Sequence, residues 1–342
     1  MKNQKIHRAH AIFIWLRNCL GKIFWIPRSS IYGSIKMTAY ILVGSVFIYP
    51  LVTKIPLLGW DWFYFFNANN PIFNIYLKNS AYPPFAVYII QLFNWMDWRT
   101  SLGMLNSISI LTIALATWKN GGRYKEIVLA IAAPPLWFLM WIGHPDGLVL
   151  FGLITGIIPL ILMKPILSIF GLLSDRKLFA WSVLFCAISA IIWPNWISSL
   201  QNATISHEVA MGWANLGWPL LVIGFFLIIG AGKDPYQLMA AGCFITPYLM
   251  PYHMAIILPA IGKTRGWRQI LLWISSWFVF LGTGLPGNGR LLALIFPLVT
   301  FCLSESFDMY KANVRRNIDS IRAIFQQITR FKPDLGTIWK KE

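Results

Sequence analysis

A succession of apolar runs, nearly free of charge, recurs from residue 37 to residue 306 with short polar connections between them, and this limits the chain more than any other feature. A helical span needs ~20 apolar residues to cross a hydrocarbon core about 30 Å thick, and lipid admits only helices or closed barrels. The runs are 37–53, 102–118, 127–142, 148–163, 178–193, 216–232, two short helices within 236–262, 270–284 and 291–306. They predict an all-α polytopic membrane protein with about ten transmembrane helices. Composition agrees: 57% of residues are hydrophobic, 12% are charged and mean hydropathy is +0.60. Soluble domains carry roughly twice that share of charge.

The balance of 29 Lys and Arg against 12 Asp and Glu gives a net charge of +17. In a soluble chain that would suggest nucleic acid. Here the basic residues fall between apolar runs, where they set orientation, so no nucleic-acid partner is predicted. Placing both termini in the cytoplasm leaves only Lys54, Lys78, Arg99 and Arg290 on the outer side. A multi-pass protein of the cytoplasmic (inner) membrane is expected, in three parts. Residues 1–36 form a basic amphipathic cytoplasmic segment, which could lie on the anionic leaflet or serve as a plain positive-inside anchor. Residues 37–306 form the membrane domain, and 307–342 a basic cytoplasmic tail. No cleavable signal peptide is expected, because Arg17 and Lys22 interrupt the first apolar stretch. The run "FAVYIIQLFNWM" (85–96) is too short to cross, and reads as an interfacial or re-entrant helix in the first outer loop. That reading keeps "KNGGRYKE" (119–126) in the cytoplasm. Cys19, Cys186, Cys243 and Cys302 are too scattered to suggest a disulfide framework or a metal site.

In a chain with so few acids, Asp61 within "GWDWFYFFNANNP" (59–71) stands out. Between Trp60 and Trp62, with Phe63 and Tyr64 behind, a partly desolvated carboxylate can serve as a base, or it can cap the helix that follows. "YPPF" (82–85) forces Tyr82 into extended backbone ahead of a new helix. "GHPDG" (143–147) brings His144 and Asp146 to an outer turn, where Asp146 is either a cap or part of a site. Lys164 interrupts an apolar run, at a cost of ~2.5–3.5 kcal/mol near mid-membrane unless it snorkels or pairs. Snorkelling to the inner surface is the simpler account. Arg290, basic on the outer side after a Gly-rich stretch, suits a fixed anion such as a phosphate. Tyr252 and His253 fall where Pro247 and Pro251 break the helices around "TPYLMPYH" (246–253), and broken helices at membrane depth line cavities. No phosphate-cradling nucleotide loop is found, so the energy for any chemistry must arrive with the substrate.

Taken in order, "DWFYFF", "YPPF", "GHPDGLVLFGLI" leading to "MKP", "WPNW" and "TPYLMPYH" resemble a divergent GT-C membrane glycosyltransferase. The similarity is to the polyprenol-phosphate-mannose-dependent mannosyltransferase group and its uncharacterised bacterial relatives, over about residues 37–290. The resemblance implies that Asp61 is the catalytic acid of the first outer loop and that Tyr82, Pro83 and Pro84 line the site. Gly143, His144, Pro145 and Asp146 stand where relatives carry a Gly-Asn or Gly-Gln turn, and Lys164 with Pro165 matches a Lys-Pro step, giving Lys164 a structural or lipid-phosphate contact. The His-Pro pair in the turn departs from that pattern. The implied partners are membrane lipid, a polyprenyl-phosphate sugar donor and a lipid or glycan acceptor. The lipid-linked sugar is a co-substrate, and neither cofactor nor metal is expected. On this reading Asp61 removes the acceptor proton, Arg290 with Lys78 steadies the departing phosphate, and Trp60, Trp62, Tyr64, Tyr82, His144, Asp146, Tyr252 and His253 line the substrate. Two competitors remain open: a transporter or lipid flippase with Asp146, Tyr252 and His253 along its path, and an inactive scaffold of the same fold.

Overall fold

A computed structural model describes residues 28–56, 58–66, 83–93, 95–194, 210–304 and 319. Among them the chain is helical throughout, with no strand. Most of the segments 1–36 and 307–342, together with Lys78 and Tyr82, fall outside the described residues.

Trp98–Lys119 is the central helix. Asp97 starts it, accepting from the amides of Arg99 at 3.0 Å and Thr100 at 3.1 Å, and from the Thr100 hydroxyl. The Thr100 hydroxyl and amide hold the Asp97 carboxyl below the usual carboxylate range. Its cap is therefore complete above the ordinary carboxylate pKa and is lost as pH falls through the lowered value. Asp97→Ala is expected to lower stability by about 1 kcal/mol in a thermal melt, without touching the candidate site.

Of the apolar window of this helix 67% is buried, against 17% for Tyr32–Val52, so the latter packs at the periphery. The two meet where Gly103 would set a Cβ 2.8 Å from the Tyr49 ring. Outward-facing Phe47 and Ile191, 78% and 79% exposed, are apolar surface suited to lipid rather than water.

The helix ends follow the sequence closely at Arg176–Ile192, Pro219–Gly230 and Trp267–Gly284. Their lengths do not match ten uninterrupted spans. Among the described residues two helices, Tyr32–Val52 and Trp98–Lys119, are long and apolar enough to cross a membrane, and the pair Tyr124–Ile131 and Pro134–Ile142, bent by 50°, makes a third if counted as one. Proline and glycine cause the difference. Pro134, Pro165, Pro219 and Pro235 each begin a new helix, where their missing amide costs nothing, and so divide the apolar runs. Pro84–Gln91, the short helix predicted in the first loop, has only eight residues.

The run 148–163 departs furthest from expectation. Asp146–Thr155 ends at left-handed Gly156 (φ 76°), and Ile158–Leu162 packs back on it so closely that a Cβ on Gly152 would lie 2.7 Å from the Ile161 amide. A continuous helix would carry Lys164 ~30 Å from His144. The fold-back instead brings the Lys164 ammonium to 2.6 Å from the His144 ring, so Lys164 does not snorkel away. The break predicted at 246–253 is present, with Pro235–Ile245 before it and Pro251–Lys263 after it as a 3-10 helix containing Pro259.

The basic connections meet at one end of the central helix. Lys119 reaches the Ile154 carbonyl at 3.2 Å, Arg265 donates to the carbonyls of Gly121 and Gly262, and Lys263 pairs with Asp234 at 2.8 Å. Measured from there, Gly147 packs against Ser109, roughly halfway along the helix, and Gly143 against Leu102, nearer its start.

Candidate functional site

Two left-handed glycines place Asp61. Gly59 (φ 62°) donates its amide to the Trp141 carbonyl at 2.9 Å, and Gly143 (φ 77°) ends the Pro134–Ile142 helix. A Cβ on Gly143 would lie 3.1 Å from Gly59 Cα, 2.9 Å from Trp62 Cβ and 2.8 Å from Leu102 Cδ1. Only glycine lets the start of Trp60–Phe66 approach the end of its neighbour this closely. Trp62 then fixes the rotation: it is fully buried, donates its indole N–H to Ser101 Oγ at 2.6 Å and packs edge-on against Phe93 at 5.5 Å. Asp61, its side chain 34% exposed, is left at the mouth with Oδ2 3.9 Å from His144 Nε2.

Behind Asp61 lies a buried constellation drawn from three broken helices. His144 and Asp146 are 2% and 4% exposed. Asp146 makes no side-chain cap; its Oδ2 lies 3.4 Å from His144 Nδ1 and 3.9 Å from His253 Nε2. Tyr252 stacks on His144 at 4.2 Å, and Lys164 lies over the Tyr252 ring at 5.0 Å while contacting His144 Nε2.

The hydrogen bonds order the protons. The Met250 amide donates to His253 Nδ1 at 3.0 Å, so that nitrogen is unprotonated and the ring carries its hydrogen on Nε2, toward Asp146. An ammonium has only donors, so Lys164 makes His144 Nε2 an acceptor and puts that ring's hydrogen on Nδ1, again toward Asp146. The Asp146 carboxylate thus faces two imidazole N–H groups, although neither contact closes as a well-aligned hydrogen bond. Asp61 and Asp146 against Lys164 leave one surplus negative charge, and the exposed member is the carboxylate at the mouth.

Asp61, His144, Asp146, Lys164, Tyr252 and His253, singled out separately in the sequence, therefore form one cluster. The other candidates behave differently. Trp60 is 59% exposed, and Trp62 is an anchor within the protein rather than a face open to substrate. Arg290, on the Gly287–Leu294 3-10 helix, makes no hydrogen bond or ion pair among the described residues. Lys78, Tyr82 and the Tyr64 side chain lie outside the described set. Sequence reasoning missed Tyr248, whose ring lies 6.0 Å from that of His253. Its spacing of four residues from Tyr252 was the available signal.

Among the described residues no group of three or more His, Cys, Asp or Glu is arranged to hold a metal ion. An apolar groove of about 380 Å³ runs between Pro56, Trp137, Phe138, Trp141, Trp277 and Phe280. One of its walls, Trp141, receives the Gly59 amide at its backbone carbonyl.

No family model and no solved structure matches the chain. A stretch of 164 aligned residues is 26% identical to proteins named cytochrome c oxidase subunit 1-beta from Streptomyces avermitilis and Streptomyces coelicolor. It spans 39% of this chain and only 29% of those relatives' length, and the name describes them alone.

Proposed function

We propose that this protein is a GT-C-type membrane glycosyltransferase, moving a hexose from a polyprenyl-phosphate donor to a lipid or glycan acceptor at the outer face of the cytoplasmic membrane. Mannose is the sugar that the resemblance implies. One observation carries the reading: Asp61, partly exposed, stands 3.9 Å from the edge of a buried Lys–His–Asp cluster assembled from sequence positions far apart. On this reading Asp61 takes the proton of the acceptor hydroxyl as its oxygen attacks the anomeric carbon, and the bond from that carbon to the donor phosphate breaks with its electrons going to the phosphate. Lys164, which like Asp61 faces His144 Nε2, steadies the leaving charge. Arg290, on the Gly287–Leu294 3-10 helix, and Lys78 are further candidates for contact with the donor phosphate. The aromatic groove takes the first isoprene units of the donor. The half-length helices then pair into about ten crossings, with both termini cytoplasmic.

The test is transfer of labelled sugar by the full chain in lipid nanodiscs from a panel of polyprenyl-phosphate sugars. Transfer from one of them is the expected result, and none from any would sink the reading.

The placement of Asp146 beside the middle of the central helix favours a second reading, a transporter built on broken helices with ionisable groups at depth. Substrate flux across proteoliposomes without sugar transfer would select it.

A further inference from the structure

The end of the central helix far from Asp61 carries charge that the chemistry just described does not use. Two loops meet there, one following Lys119 and one following Lys263, and the backbone leaves little room between them. A Cβ on Gly122 would lie 3.1 Å from Gly262 Cα and 2.8 Å from the Thr117 carbonyl oxygen. Arg265 pins the pair by donating to the carbonyls of Gly121 and Gly262. The helices that leave the loops, Tyr124–Ile131 and Trp267–Gly284, are also in contact. The cations here fall into two sets. Arg265 is taken up by those carbonyls, Lys119 by the Ile154 carbonyl at 3.2 Å and Lys263 by Asp234 at 2.8 Å. Arg123, Lys125 and Arg268 are exposed and make no ion pair among the described residues. The acids that touch the loops are already engaged, since Asp234 holds Lys263 and buried Glu126 accepts the Arg123 amide at 2.7 Å with Arg265 4.0 Å away.

Around these three cations the surface is first aromatic and then aliphatic. Trp118, Tyr124 and Trp267 are exposed, with Arg268 over the Trp267 ring at 6.0 Å, and within two turns Val128, Ile270 and Ile274 face outward as well. That is the order met on passing from lipid headgroups into acyl chains. A positive-inside bias explains why basic loops lie at this end. It does not require three of the side chains to stay unpaired beside an aromatic rim. We infer that the joined loops form a docking surface for an acidic phospholipid of the cytoplasmic leaflet, with Arg123, Lys125 and Arg268 facing its headgroup charge and Tyr124 and Trp267 level with its glycerol. Charge complementarity selects an acidic headgroup, and the apolar surface next to the cations selects a lipid over a soluble polyanion. The leaflet follows from the orientation proposed above; the docking surface itself is independent of sugar transfer.

The full chain in detergent micelles is titrated with phosphatidylglycerol or with phosphatidylcholine, and bound lipid is counted by native mass spectrometry. The wild type is expected to hold phosphatidylglycerol at least about tenfold more tightly, because each Lys or Arg near an anionic headgroup contributes about a fivefold preference. Arg123→Gln, Lys125→Gln and Arg268→Gln combined should abolish most of that preference, whereas Arg123→Lys, Lys125→Arg and Arg268→Lys combined keep the charge and should retain it. Should the triple Gln variant not fold, Lys125→Gln and Arg268→Gln are measured singly, each with an expected loss of about fivefold. Arg176→Gln, Lys177→Gln and Lys233→Gln combined remove the same charge from other basic connections and should leave the preference largely unchanged. Equal binding of the two lipids by the wild type, a preference that survives the Gln variants, or one lost equally in the control at 176, 177 and 233, overturns the inference. So does inositol hexakisphosphate, a polyanion without acyl chains, if it displaces phosphatidylglycerol as effectively per phosphate as the lipid itself. No step uses a sugar, so a failed transfer assay leaves this result standing, and failure here leaves the glycosyltransferase reading untouched.

Discussion

Asp61→Asn is expected to reduce sugar transfer by about 10² or more while the protein remains folded, the loss usual when a general base is removed. The substitution is nearly isosteric, and the contacts that seat the residue belong to its neighbours: the Gly59 amide on Trp141, the Trp62 indole on Ser101, and the close approach of Gly59 to Gly143. None involves the carboxylate. Removing its charge also leaves Lys164 balanced against Asp146, so no buried ion is orphaned. A fall in rate with an unchanged thermal midpoint would therefore report on chemistry. Transfer that survives the substitution would keep the enzyme and discard Asp61 as its base.

The sequence makes the existence and approximate ends of the helices legible, because charge and proline punctuate an apolar chain. The central span is expected at 102–118 and found at Trp98–Lys119, and the run 178–193 is found as Arg176–Ile192. It does not say whether an apolar run crosses or turns back. Hydropathy is blind to direction, and Gly156 is unremarkable in composition because glycine is frequent in membrane helices. Its left-handed backbone nevertheless reverses the chain and returns Lys164 to His144.

Trp60 and Trp62 show a second limit. They look equivalent around Asp61, but at 3.6 residues per turn two positions apart is about 200° around a helix, so one faces outward at 59% exposure and the other is fully buried. The cluster itself was legible only as separate oddities: an acid in an aromatic setting, a lysine in an apolar run, a His-Pro turn. Each was costly where it stood. Their convergence depends on helix breaks whose geometry the sequence marks only by proline and glycine.

Gly143→Ala is expected to carry the other large effect, on both stability and rate. At φ 77° an alanine costs ~1–2 kcal/mol in backbone strain alone. Its Cβ would also lie 3.1 Å from Gly59 Cα and 2.9 Å from Trp62 Cβ, neither of which is the end of a flexible side chain, adding about 1–3 kcal/mol of overpacking. The relief available is for the Trp60–Phe66 helix to move away, which lengthens the Asp61–His144 approach, and a displacement near 1 Å can cost about 10² in rate. Gly156→Ala is the matched control: its φ is 76°, but nothing lies within 4 Å of the added carbon, so it should show the backbone cost with transfer retained. Thermal midpoints and transfer rates for the two variants separate strain from packing. Equal losses of stability in both, with Gly143→Ala transferring at the wild-type rate, would mean that the contact between the two glycines does not position Asp61. A larger loss confined to Gly143→Ala would show that the catalytic geometry is set at the backbone, by two residues that carry no side chain at all.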